Sequence, residues 1–262
     1  MLENIEGTVN SMEAYFKSEY LKIKHTFIGK LIFLAPIFTI LCTLALEPTY
    51  FQINMYNWWY SMLLPGMVSL LCTLVAVKDK KMKNMAVLSL PVDLKKVWIS
   101  KILVCMLMIV IASIIHLFGV VVIGNVLPFQ NPEGRIPITS SALGSLVLII
   151  TFLWQVPLCL FLGSKVGMFP TILINIVAYE LGAVIFSLKK VLWLIPYAIP
   201  ARLMCPIVKI LPNGLPAVPG SKRFEPELLS HSVILPGIII TLVLFVILTI
   251  LTAKWYEGQE AK

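Results

Sequence analysis

The sequence predicts an all-α integral membrane protein with six transmembrane helices, and three observations carry that expectation. Hydrophobic residues make up 59% of the 262-residue chain and charged residues only 13%, with a mean hydropathy of +0.92, far outside the range of soluble domains. Six stretches, 27–46, 58–77, 102–126, 142–162, 168–187 and 233–253, are apolar and long. Each reaches the roughly 20 residues that a helix rising ~1.5 Å per residue needs to cross a ~30 Å hydrocarbon core. The short connections between them alternate between rich and poor in Lys and Arg, as the positive-inside rule requires.

Ahead of the first crossing, Met12, Phe16, Tyr20, Ile23 and Phe27 recur at helical spacing, while Lys17, Ser18, Lys22 and Lys24 occupy much of the rest. That pattern predicts an amphipathic helix over 10–26 lying in the membrane interface. Asn10 with Glu13 marks its start, and Glu13 with Lys17 adds a pair one turn apart. The N-terminus, "MLENIEG", is acidic, and no small-residue cleavage site follows the first apolar run, so no removable signal peptide is expected.

The pre-membrane segment, the second connection and "GSKVG" carry lysines, whereas 47–57 carries none and 127–141 only Arg135. Both termini are therefore expected in the cytoplasm of a multi-pass plasma-membrane protein. The fifth connection, 188–230, holds seven of the 17 prolines and six basic residues. Within it 191–211 is apolar enough to cross, but Pro196, Pro200 and Pro206 each remove a backbone donor and clash with the preceding turn. Broken backbone at membrane depth survives only against protein or a wet cavity, so 188–230 is expected to be a re-entrant or interfacial segment on the outer side. "LPG" recurs at 64–66 and 235–237, where it signals either a kink or a proline tolerated by packing.

The connection 78–101 carries seven lysines in 24 residues. Lysines beside a crossing attract anionic lipid at ~1 kcal/mol each, which accounts for the charge. It does not account for "MAVLSLPV", an apolar island between two basic runs, which suits docking to a protein partner. Pro91 breaks any helix through the loop, and Asp93 is placed to cap the next one.

Several chemistries lack their parts. Three histidines, no paired carboxylates inside a crossing and no phosphate-binding loop leave no metal site, no catalytic residues and no nucleotide hydrolysis of the chain's own. The net charge of +8 lies mostly at membrane boundaries, so nucleic acid is not an expected partner. Cys42, Cys72, Cys105, Cys159 and Cys205 stand singly and read as packing residues. Two ionisable side chains fall at membrane depth: His116 about 14 residues, ~21 Å, and Glu180 about 12 residues, ~18 Å, from the starts of their helices. Either they bond each other or line a polar path, or each is satisfied separately on a backbone carbonyl or hydroxyl.

"VLSLPVDLKKVWISK", residues 87–101, resembles the first cytoplasmic loop of ABC-type-2 exporter permeases, which carries a stretch like "LLS-x-PVSRRKI-x-x-GK". The matches are Leu88, Ser89, Pro91, Val92, Lys95, Lys96 and Lys101. The departure is upstream, where that family has Glu before Gly-Thr and this chain has "KDKKMKNMA" with Asp79. The resemblance implies a coupling helix, Leu88, Ser89, Leu90, Pro91, Val92 and Asp93, set into a groove of an ATP-binding subunit dimer that holds ATP and Mg. It also implies an amphipathic connecting helix before the first crossing and a re-entrant segment between the fifth and sixth. The Lys-rich loop and "PYAIPARLMCPIVKILPNGLP", 196–216, look like lantibiotic-immunity permeases of Gram-positive bacteria. Those work with a second related permease, or a second copy, to clear antimicrobial peptide from the membrane. On this reading His116, Glu180, Tyr197 and Arg202 are candidates for the substrate path. Export of another lipid-like or drug-like substrate, or a non-transporting sensor or scaffold, are the alternatives.

Overall fold

Ser11 opens the first helix by accepting a hydrogen bond from the Ala14 amide at 3.2 Å, which satisfies one of the donors that a helix start leaves over. The computed structural model describes residues 11–80, 92–127, 131–189 and 191–259; within these the chain is helical, with one isolated bridge, Ile210 to Pro216, and no strand. Helix α1 (Met12–Lys24) ends at Thr26, whose amide and hydroxyl both bond the Ile23 carbonyl, and α2 (Phe27–Leu46) begins at the next residue. The buried residues of α1 are Tyr15, Glu19 and Ile23; of the expected apolar face, Ile23 is buried, Phe16 and Tyr20 pack partly against the core, and Met12 and Phe27 are exposed. A buried charge pair turns the helix: Glu19 is only 5% exposed.

The second long helix starts at Phe51, seven residues before the expected crossing. It runs as α3 (Phe51–Trp58), a π turn (Trp59–Leu63) and α4 (Leu64–Lys80). Its polar start suggested a connection, but the polar groups find partners inside the protein. Gln52 donates to the Val120 carbonyl at 3.2 Å and accepts from the Ile136 amide at 2.8 Å. The π turn immediately precedes Pro65, which has no N–H to give, and the Leu64 amide reaches back five residues to Trp59. The second "LPG" does nothing similar, because Pro236 falls in the first turn of its helix, where an N–H is not needed.

Helix α5 (Leu94–Val126) extends eight residues ahead of the apolar stretch 102–126 and starts at the expected Asp93 cap, whose carboxylate accepts from the Lys96 amide at 3.2 Å. Its 33 residues span about 50 Å, well beyond a hydrocarbon core. The expected fourth crossing is two helices, α6 (Ile138–Phe152) and α7 (Gln155–Val166), bent by 41°. Pro157 explains the break, since its ring conflicts with the Leu153 carbonyl four residues earlier and it donates no bond. Gly167 reverses the chain at φ 91 into α8 (Met168–Leu181), which continues as a π turn (Gly182–Phe186). In the proline-rich segment a ten-residue helix, α9 (Ile199–Val208), is buried at every position and stops at Lys209 in the left-handed region. Helix α10 (Ile234–Glu257) closes the described chain.

Among the described residues four helices, counting Pro48–Lys78 as one, are long and apolar enough to cross a membrane, and the bent α6–α7 pair would be a fifth. Around α5 pack α1, α2, α6 and α10, while α4 packs on α7 and α8. A side-chain carbon at Gly163 would lie 2.9 Å from the Thr73 Cα, so the absence of one lets α7 approach α4. Trp59, Trp98, Tyr56 and Tyr60 fill the interior. Outward, Phe33, Phe118, Phe169 and Val243 stand more than half exposed on predominantly apolar helices. Such apolar surface suits hydrocarbon rather than water.

Candidate functional site

At the end of the bundle that carries α1, the helices are tied together by charge. Lys101 of α5 and Glu19 of α1 form an ion pair at 2.8 Å with side chains 2% and 6% exposed, and Lys22 joins the same carboxylate at 2.6 Å. The Tyr15 hydroxyl accepts from the Asp93 amide at 3.0 Å, so α1 also holds the residue that starts α5. Across the junction Lys95 pairs with Glu257 of α10 at 2.9 Å, and the Trp98 indole donates to Thr252 at 2.9 Å while stacking on Tyr256. Of the expected partner-contact residues, Asp93 is the helix cap and Val92 packs against the core. Leu88, Ser89, Leu90 and Pro91 lie outside the described residues.

The four substrate-path candidates fall in separate places. His116 is wholly buried in α5, stacked on Trp59 at 4.6 Å and edge-on to Tyr56 at 5.3 Å, with Nε2 at 3.1 Å from the Met55 carbonyl. Glu180 is half-buried on α8, and no hydrogen bond or ion pair joins it to His116. Arg202 on α9 donates to the carbonyls of Leu228 at 2.7 Å and Glu227 at 3.1 Å, which fastens the buried helix to the turn before α10. Tyr197 donates to Asn175 Oδ1 at 3.1 Å and meets the Trp154 ring edge-on at 4.7 Å.

That last contact leads to a polar node not foreseen from the sequence. The Asn175 amide donates to the Pro65 carbonyl at 3.1 Å and to Gln155 Oε1 at 3.0 Å, joining α4, α7, α8 and the proline-rich segment through one side chain. Close by, Gln155 Nε2, Trp154 Nε1 and Tyr179 Oη are buried without a hydrogen-bond partner. A side-chain carbon at Gly182 would meet the Tyr197 backbone at 2.7 Å, so glycine allows the segment to press against α8. The signal available in the sequence was an uncharged amide in each of two neighbouring apolar helices, Gln155 and Asn175. Charge alone drew attention to His116 and Glu180 instead.

Fold and surface define an all-helical protein built for a membrane, with a charged junction at one end and a polar node within its helices. In comparisons with protein-family models, curated proteins and solved structures, nothing matches the chain. Among the described residues no group of three His, Cys, Asp or Glu side chains could hold a metal ion.

Proposed function

We propose that the chain is the permease subunit of an ATP-driven exporter of the ABC-type-2 kind, with a lantibiotic-like cationic peptide as its cargo. The observation that carries this reading is the clamped base of α5. A single helix of 33 residues, capped by Asp93, follows directly on the loop that resembles a coupling helix, and the buried Glu19–Lys101 pair locks α1 to it. A push on residues 88–93 would therefore move α1 and α5 as one body, and Lys95–Glu257 would carry it to α10. The π turn before Pro65 and the break at Pro157 supply points where α4 and α7 can yield.

In this reading the crossings number six, with α6–α7 as a bent fourth and α8 extended by its π turn as the fifth. Residues 188–230 re-enter the membrane from outside, both termini are cytoplasmic, and the partner dimer holds ATP and Mg. A second copy or a related permease completes the pathway. Peptide in the outer leaflet would leave past the segment 197–206. The broader readings, export of another lipid-like substrate or a non-transporting scaffold, differ in what the loop must do.

Two loop variants separate them. Leu88→Asp with Val92→Asp is expected to abolish co-purification of the ATP-binding subunit and peptide resistance. Replacing Lys78, Lys80, Lys81 and Lys83 with Gln is expected to weaken resistance less than the apolar double variant. Loss in the lysine variant alone would make the loop a lipid anchor and end the coupling reading.

A further inference from the structure

The end of the bundle that carries α1 holds a partly open cavity of about 210 Å³ where α4, α5, α7 and α10 converge. Its wall includes Lys101, Ser164, Lys165, Trp98, Trp255 and Gln259. At ~30 Å³ per molecule of liquid water, that volume suits a phosphate group with a few waters. Lys101, almost fully buried, is a charged group in the wall, with Glu19 behind it at 2.8 Å. Lys165 stands exposed at the rim, its ammonium 5.1 Å from the centre of the Trp255 ring. Glu19 answers the charge of Lys101, whereas no carboxylate pairs with Lys165 among the described residues. The wall is thus polar, with one uncompensated positive charge, Lys165, at its rim.

We propose that this cavity binds a phosphate group, carried either by a phospholipid headgroup or by free phosphate. Two features of the surroundings bear on the choice of anion. The end carries Lys95, Lys96 and Lys165 beside its apolar helices, the place of lysines at a membrane surface, where phosphate is the prevailing anion of a bilayer. Further along α10, Ile247, Ile250 and Leu251 are exposed and offer an apolar surface for an acyl chain. A phosphate held there touches four helices and staples the base of α5 to α7 and α10. The site is independent of transport and requires only that the end of the bundle be at the membrane surface.

The test uses the full chain purified in detergent, with phosphatidylglycerol and inorganic phosphate as probes and native mass spectrometry as the readout. Wild type retains phosphatidylglycerol. Lys165→Gln, an exposed change that leaves the fold intact, weakens retention about tenfold, equivalent to ~1.4 kcal/mol. Lys254→Gln, which removes an equally exposed lysine from the last turn of α10, leaves it unchanged. The paired variant Glu19→Gln with Lys101→Gln removes the buried charges together and also weakens retention. Competition by millimolar inorganic phosphate assigns the site to free phosphate, and lack of competition to the headgroup. Equal retention in wild type and Lys165→Gln with no binding of either probe in the cavity, or equal loss in Lys254→Gln, overturns the proposal.

Discussion

Glu19 shows how a single residue can redirect an element. On α1 the apolar face of Met12, Phe16, Tyr20 and Ile23 reads as an interfacial surface, yet Met12 is exposed and Glu19 is buried beside Ile23. An ionised carboxylate out of water is costly unless paired and hydrogen-bonded, and Lys101 with Lys22 supply the pairing. The spacing Tyr15, Glu19, Ile23 is as regular as the hydrophobic one, but nothing local distinguishes it. Lys101 is 82 residues away, so only the approach of α5 selects it. Breaking a buried pair by removing one partner typically costs about 3–5 kcal/mol, and Lys22 will blunt that here. Lys101→Met is therefore expected to lower the melting temperature more than Glu19→Gln with Lys101→Met together, read by tryptophan fluorescence in detergent. Strict additivity of the single variants would mean that the pair does not hold α1.

At the scale of elements, the sequence placed the apolar stretches well and their ends poorly. The first crossing and α2 share the span 27–46. The second and third helices both extend into polar sequence, because Gln52 and Asp93 satisfy backbone or loop groups that would otherwise need water. The fourth is broken near Pro157, which has no N–H to give, and the Leu153 carbonyl is bonded by the Val156 amide instead. What joins these pieces is Asn175, which binds Pro65, Gln155 and Tyr197 from three other parts of the chain. Asn175→Ala strands Gln155 Oε1 and the Tyr197 hydroxyl in an apolar interior. At roughly 0.6–1.7 kcal/mol per membrane hydrogen bond, destabilisation of about 1–3 kcal/mol is expected from denaturant unfolding. A change within error would show that the node is not stabilising.

For the whole molecule, the decisive question is how often the chain crosses. Four long helices and the bent pair are long enough, while α8 has 14 α-helical residues before its π turn. The segment after it folds back on itself: Leu188 packs with Leu211 and Leu228, yet Tyr197 between them reaches Asn175. Such a path fits entry and exit on one side. With the native cysteines replaced, cysteine at Glu13 and at Gly258 is expected to react with an impermeant maleimide only from the cytoplasmic side, and cysteine at Lys222 only from outside. Labelling of Lys222→Cys and Gly258→Cys from the same side would remove one crossing and invert the arrangement of the segment.

Membrane class, helical architecture and the approximate position of each apolar stretch follow from the sequence alone, because a hydrocarbon solvent demands long runs of apolar residues with internally bonded backbone. Tertiary structure alone decided that Glu19 is buried on α1, where α3 begins, and that Asn175 and Gln155 form the polar node. Each of those depends on a polar group finding a partner across the bundle. The energy of such a contact resides in neither residue separately, and so neither residue's place in the sequence reveals it.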